Sequence, residues 1–284
     1  MSAEAEPAIL YVVATPIGNM GDMTFRAVEV LRSVSLIACE DTRHTAKLLA
    51  NFQIKTPTIS YHEHNEEQRI PQLLKRLTAG ESLALVSDAG TPLLSDPGYR
   101  LVNACRQGGI RVTAVPGPFA AAAAASISGL STDRIVFAGF PPGRPGSQHA
   151  WWRELATIPA SVVCYLSPHR LLPSLRAAAA VFGSRPAFLV RELTKLHEES
   201  FFAPLDELVQ RLHEHHPRGE YTLVIGGVPQ STTSLAIDLE SYVTGLQQAR
   251  GLSLSQAVAR ASSELGIPRR QLYRQIHIGR TKSD

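Results

Sequence analysis

The sequence predicts two α/β domains, the first on a parallel five-stranded sheet and the second on a mixed sheet, followed by a small helical unit. Three observations carry this prediction. Within residues 9–115, five short apolar runs alternate with helix-like stretches, the pattern of a doubly wound parallel sheet. From residue 134 onward the apolar runs crowd together and the helices shorten, as in a mixed sheet. The 284 residues exceed one ordinary domain, and 44% of them are hydrophobic, enough to fill two cores. The expected division is an α/β domain over 1–117, a second over 118–228, a linker over 229–252 and a helical tail over 253–284.

Residues 9–14 are the first apolar run and break at Thr15-Pro-Ile-Gly-Asn19, after which Thr24 opens an amphipathic helix reaching residue 34. The second strand, 36–39, ends abruptly in Glu40-Asp-Thr-Arg43, and a helix covers 45–51. The third strand, 58–61, leads into His62-Glu-His-Asn65. Glu66 and Glu67 then set acids against the positive end of a helix that reaches Thr78 and stops at Gly80. Leu83-Ala-Leu-Val86 reads as a strand buried on both faces. It runs into Ser87-Asp-Ala-Gly-Thr-Pro92, and Asp96-Pro-Gly98 reads as the start of a helix over 96–107. Gly108-Gly109 closes that helix, and the fifth strand, 111–115, ends in Pro116-Gly-Pro118. An alanine-rich helix follows Phe119 and closes at Gly129.

Strands are then expected at 134–138, 161–166, 186–191, 197–202 and 221–226, with helices near 147–156, 169–182 and 204–214. The pair 186–191 and 197–202 can form a hairpin around Thr194-Lys195. Residues 229–250 begin polar and rich in Ser, Thr and Gln and read as a linker, whereas Ser253 or Ser255 and Pro268 mark two short helices in the tail.

Right-handed crossovers place the loops 15–19, 40–43, 88–92 and 116–118 along one rim, where open α/β sheets take their ligands. There is no GxGxxG turn and no Walker loop, so a nucleotide-like ligand has to bind without a phosphate cradle. S-adenosylmethionine, which carries no phosphate, meets that constraint. Cys39, Cys105 and Cys164 are widely spaced and form no CxxC pair, so neither a disulfide framework nor a zinc site is suggested, and a reduced, cytosolic compartment is expected. His62 and His64 share a face but lack a third ligand, and His213, His215 and His216 read as an exposed helix end, so no metal is expected. Residues 1–8 do not read as a signal peptide, and no apolar run is long enough to span a membrane. A net charge of +3 permits an RNA partner without requiring one. On its own, Glu40-Asp-Thr-Arg43 reads equally as a group that positions a hydroxyl or as a helix cap with a surface arginine.

Together the motifs Ala14-Thr-Pro-Ile-Gly-Asn19, Cys39-Glu-Asp-Thr-Arg43, Val86-Ser-Asp-Ala-Gly-Thr-Pro92, Asp96-Pro-Gly98 and Val115-Pro-Gly-Pro118 form an ordered set. Phe137-Ala-Gly-Phe-Pro141, Ser167-Pro-His-Arg170 and Arg191-Glu-Leu-Thr-Lys195 continue it. The set resembles the bacterial small-subunit rRNA methyltransferases that 2'-O-methylate a cytidine of 16S rRNA, a family of the tetrapyrrole methylase superfamily. The resemblance spans residues 9–228 and reaches into the tail at 253–274.

It implies two α/β domains of the tetrapyrrole methylase type, S-adenosyl-L-methionine held between them, and a cytoplasmic homodimer. Pro16, Asp88, Gly90, Thr91, Leu94, Pro116, Phe119, Ala120 and Leu166 are the cofactor residues it implies. Leu166 stands where that family often has Glu, which leaves only a backbone contact for that position. Glu40, Asp41 and His62 are the available bases on the rim and Arg43 a phosphate contact, so these four are expected to flank the acceptor hydroxyl. Arg144, His169, Arg170, Arg191, Lys195, Arg269, Arg270 and Arg274 are the expected contacts to 16S rRNA in the small ribosomal subunit. For the tail, a structural helix pair or a dimer contact is the competing expectation. The rival readings of the whole chain are a methyltransferase acting on a tetrapyrrole and a ribosome-binding protein without catalysis.

Overall fold

The computed structural model describes residues 8–212, 217–227, 239–265, 269–270 and 272–273. The chain divides into two compact units, Met1–Val228 and Pro229–Asp284. The first unit begins with β1 (Ile9–Val13), α1 (Phe25–Ser33), β2 (Leu36–Cys39), α2 (Thr42–Asn51), β3 (Thr58–Ser60), α3 (Glu66–Thr78), β4 (Leu83–Val86), α4 (Tyr99–Gln107) and β5 (Arg111–Val115). These five strands form one wholly parallel sheet in the order β3-β2-β4-β1-β5.

Every residue of β2 and β4 is buried, which explains their unbroken apolar runs. Alternation along β2 shows why both faces need cover. Ile37 and Cys39 pack with Ala27 and Leu31 of α1 and Leu49 of α2, while Leu36 and Ala38 pack with Leu73 and Leu77 of α3 and Leu101 of α4. The chain leaves β1 toward one edge of the sheet and β4 toward the other. The point where the order reverses therefore lies between β1 and β4, and the loops that follow them sit side by side.

After α5 (Ala120–Ile127) come β6 (Ile135–Phe137), α6 (Pro145–Ala156), β7 (Ser161–Leu166), α7 (Leu171–Phe182), β8 (Pro186–Arg191), β9 (Glu199–Pro204), α8 (Leu205–Arg211) and β10 (Tyr221–Ile225). This second sheet has the order β6-β7-β10-β8-β9. Only its β6–β7 pair is parallel, and β8 and β9 form the expected antiparallel hairpin. Residues of α6, α7 and α8 cover one face around Trp152, Leu171 and Leu208, and alanines of α5 cover the other.

In the second unit, α9 (Leu239–Arg250) and α10 (Leu254–Leu265) pack through Val243, Ala257, Val258 and Ala261. Residues 239–250, expected within a linker, are thus helical. Their apolar positions Leu239, Tyr242, Val243 and Leu246 follow a helical period hidden by the polar residues before them.

Candidate functional site

Hydrogen bonds tie the four polar loops of the first sheet together. Thr15 and Gly90 exchange backbone bonds, at 2.8 Å from Thr15 N to Gly90 O and 3.0 Å in return. The buried Thr15 hydroxyl also donates to the Ser87 carbonyl at 3.2 Å. The Thr91 hydroxyl donates to the Pro118 carbonyl at 3.1 Å, and the Asp41 amide donates to Asp88 Oδ1 at 3.1 Å. The loops after β1, β2, β4 and β5 are therefore one assembly. Gly90 takes φ +82°, a conformation in which a side chain is strained, and a Cβ there would press on Ile17.

Above this assembly lies a cavity of about 400 Å³ between the two sheets. One wall comes from the β4 loop (Asp88, Gly90, Thr91, Leu94), another from Phe119 and Ala120 at the start of α5, and a third from Phe140, Tyr165, Leu166 and Tyr221 of the second domain. Phe137, lying between the Phe119 and Tyr165 rings at 5.1 and 5.0 Å, stiffens the apolar side. The charged residues on the lining are Asp88, Asp96 and Glu220, with no Lys, Arg or His among the described lining residues. Such a site suits a cationic ligand with an apolar body and rejects a phosphate.

Seven of the nine expected cofactor residues line this cavity: Asp88, Gly90, Thr91, Leu94, Phe119, Ala120 and Leu166. Pro16 and Pro116 do not. Pro16 is buried beside the sheet and Ile17 takes the place on the lining, while Pro116 is exposed and the carbonyl of Pro118 does the local work. The Leu166 side chain is 1% exposed and belongs to the apolar cluster under α6 and α7, so this position presents no carboxylate.

A second pocket of about 510 Å³ is lined by Glu40, Glu63, Glu66, Ser95, Asp96, Pro97, Gly98, Tyr99 and Arg100. Burial, with Asp88 close by, raises the Glu40 carboxyl above its ordinary range. The other three acceptor-side expectations fare differently. Asp41 caps α2 by accepting from the Arg43 amide at 2.8 Å, and its hydrogen bonds from Arg43 lower its pKa to about 2. Arg43 is held against Asp41 at 3.0 Å with its side chain 89% exposed, facing solvent at the rim. His62 Nε2 meets Asn65 Nδ2 at 3.0 Å, so its lone pair accepts there and the ring proton sits on Nδ1, which is buried without a partner. None of Asp41, Arg43 and His62 lines either pocket.

Asp96, which reads in the sequence as a helix start, is the site residue that reading missed. Helix α4 begins three residues later at Tyr99, and Gly98 is its cap position. Desolvation raises the Asp96 carboxyl to about 6, a hydrogen bond with Ser87 opposes the shift, and the charges of Glu40 and Asp88 add to it. Its delivery depends on backbone strain, since Leu93 (φ +73°) and Ser95 (φ +75°) both lie in the left-handed region.

Of the expected RNA contacts, Arg144, His169 and Arg170 are exposed, and the Arg170 guanidinium lies over Gly143, beside the Ser167-Pro168 edge of the cavity. Arg191 and Lys195 are committed elsewhere. Arg191 donates to the Arg218 carbonyl at 2.8 Å and pairs with Glu199 at 3.4 Å. Lys195 bridges Glu192 at 3.0 Å and Glu220 at 2.8 Å, its stem against Gly18. Arg269 and Arg270 are exposed in the second unit, and Arg274 lies outside the described residues, as do His213, His215 and His216.

Residues 9–209 match the family Tetrapyrrole (Corrin/Porphyrin) Methylases. Among curated relatives, a protein of Synechocystis sp. named ribosomal RNA small subunit methyltransferase I is 47% identical over 268 residues, covering 93% of this chain and 96% of the relative. One of the same name from Escherichia coli is 43% identical over 276 residues, covering 96% of each. Two solved structures share the fold. Cobalt precorrin-4 methyltransferase has TM-score 0.62 and 15% identity, over 80% of this chain and 98% of that one. Uroporphyrin-III C-methyltransferase from Thermus thermophilus has TM-score 0.55 and 21% identity, over 77% and 94%. The chain is a methyltransferase that belongs to the tetrapyrrole methylase family and, within it, to the ribosomal RNA small subunit methyltransferase I proteins.

Proposed function

We propose that the protein transfers a methyl group from S-adenosyl-L-methionine to the 2'-hydroxyl of a cytidine in 16S rRNA of the small ribosomal subunit. The observation that carries the cofactor is the lining of the cavity between the sheets, apolar with Asp88 and Asp96 on it and no basic side chain among the described lining residues, Glu220 being paired with Lys195. A sulfonium cation bearing an adenosine body fits that lining. When bound, the cofactor supplies an activated methyl group. Leu94, Phe119 and Ala120 would hold its apolar body, and Asp88 and the Thr91 backbone its polar end, with Gly90 letting it approach the turn.

The RNA reading rests on the names of relatives at 40–48% identity. We place the acceptor ribose in the outer pocket beside the cavity, where the acids would face its hydroxyls while the phosphates stay outside at the rim. Glu40 lines the pocket wall, while Asp41, Arg43 and His62 stand outside the lining: Asp41 holds the loop, Arg43, paired with Asp41 at the exposed rim, would meet a phosphate, and His62 buttresses the neighbouring turn. Arg144, His169 and Arg170, with the tail arginines Arg269, Arg270 and Arg274, would meet the RNA backbone. Family likeness supports a homodimer in the cytoplasm. None of the described helices is long and apolar enough to cross a membrane.

The test offers methyl-labelled cofactor together with small ribosomal subunits, large subunits and a tetrapyrrole. Label is expected in small-subunit RNA alone, and label in the tetrapyrrole would overturn the reading.

A further inference from the structure

The two pockets described above are neighbours, and their linings share two residues, Ser95 and Asp96. Methyl transfer needs the donor carbon and the acceptor oxygen in line at near-contact distance. If the cavity between the sheets takes the donor and the outer pocket the ribose, the reacting atoms meet where the linings join. The Ser95 hydroxyl is turned toward Gly139, whose Cβ position it approaches at 3.0 Å, so the ionisable group at the junction is Asp96. Gly98 is required behind it. With φ +137°, any Cβ there would meet Leu85 at 2.8 Å and Leu93 at 3.0 Å. The left-handed Leu93 and Ser95 and this glycine turn the chain so that Asp96 faces inward instead of capping α4.

We infer that Asp96 is the catalytic residue that takes the proton from the acceptor 2'-hydroxyl during methyl transfer, an inference that rests on the function proposed above. The ribose oxygen bonds to the methyl carbon and its proton passes to an Asp96 carboxylate oxygen. The electron pair of the breaking sulfur–carbon bond stays on sulfur, so a sulfonium becomes a neutral thioether. The proton then leaves Asp96 through the outer pocket to solvent.

Asp96 is the one carboxylate that lines both described pockets. His62 accepts from Asn65, Asp41 is tied to Arg43, Asp88 accepts from the Asp41 amide and lines only the cavity between the sheets, and Glu40 lines only the outer pocket, away from the junction. Around Asp96 stand Glu40 from the end of β2, Asp88 from the end of β4, Glu63 from the loop after β3, Tyr165 from β7 and Arg100 from α4. Arg100 is engaged by Glu66 at 3.0 Å and Glu67 at 2.6 Å. The surroundings of Asp96 are thus mainly acidic, and burial together with these charges raises its carboxyl to about 6, so that it is ionised at pH 7 and more basic than an ordinary carboxylate.

The test compares the full-length wild type, Asp96→Asn and Asp96→Glu in single-turnover methylation of small subunits from pH 5 to 9, beside calorimetric binding of S-adenosylhomocysteine. The wild-type rate should rise about tenfold per unit below pH 6 and level above it. Asp96→Asn should bind S-adenosylhomocysteine within about threefold of wild type, yet lose roughly 10²–10⁴ in rate and lose the pH dependence. Asp96→Glu should recover part of the rate together with a titration. An Asp96→Asn protein that keeps the wild-type rate and profile, or that loses S-adenosylhomocysteine binding in proportion to rate, overturns the inference. If wild type itself transfers no methyl to small subunits while binding S-adenosylhomocysteine, it is the proposed function that fails, and the inference with it.

Discussion

Asp96 raises a stability question as well as a catalytic one. Its carboxyl ionises near 3.8 in an open chain and at about 6 in the fold. Between those values the unfolded state binds fewer protons, so stability falls as pH rises through that window. Removing the titration by Asp96→Asn should therefore stabilise the protein at pH 8 by about 1–2 kcal/mol, allowing for solvent screening, and by nothing below about pH 4. Thermal melts of the two proteins at several pH values check this. A site residue whose loss costs activity and gains stability is what a preorganised active site predicts. Gly98→Ala should do the opposite, costing about 2–3 kcal/mol in urea unfolding, because the φ of +137° and the Leu85 and Leu93 contacts both penalise a Cβ. Arg43→Ala tests the rim. Methylation should fall while cofactor affinity holds, since Arg43 touches neither the cavity nor its lining loops except through Asp41.

At the scale of elements, the turn after β4 is positioned by its partners. The Thr15–Gly90 bridge and the Thr91–Pro118 bond clamp it between the loops after β1 and β5. Thr91→Val should weaken S-adenosylhomocysteine binding by about 1 kcal/mol, roughly fivefold in Kd, with a smaller change in melting temperature. The apolar runs of β2 and β4 were legible because these central parallel strands are buried on both faces, and the alternation of polar loops and helices revealed one rim. What stayed hidden has physical causes. Asp-Pro-Gly is a good helix-start signature, and no pattern of residue types announces that Leu93 and Ser95 will adopt a positive φ, so Asp96 passed for a cap. The charges of Arg191 and Lys195 looked free because their partners Glu199 and Glu220 lie across strands, although Glu192 was near enough in sequence to warn of pairing. The same pairing predicts that Arg170→Gln lowers the salt slope of subunit binding by about one, whereas Lys195→Gln leaves it unchanged.

For the whole first unit, the division of labour follows from two sheets of different kinds. The parallel sheet brings four strand-end loops to one rim, and the mixed sheet closes the cavity from the opposite side with Phe140, Tyr165 and Tyr221. The likeness to solved structures at 15–21% identity is one of fold, and a fold by itself does not choose a substrate. In this chain we place that choice in the pocket beside the cavity, lined by acids and the exposed Tyr99. The claim at the centre is that a cytidine ribose enters there. Its most direct test is to react the protein with small ribosomal subunits, digest the 16S rRNA to nucleosides and fragment them by mass spectrometry. The account predicts one cytidine carrying its new methyl on the ribose fragment. A methyl on a base, on another nucleoside, or on none would contradict it.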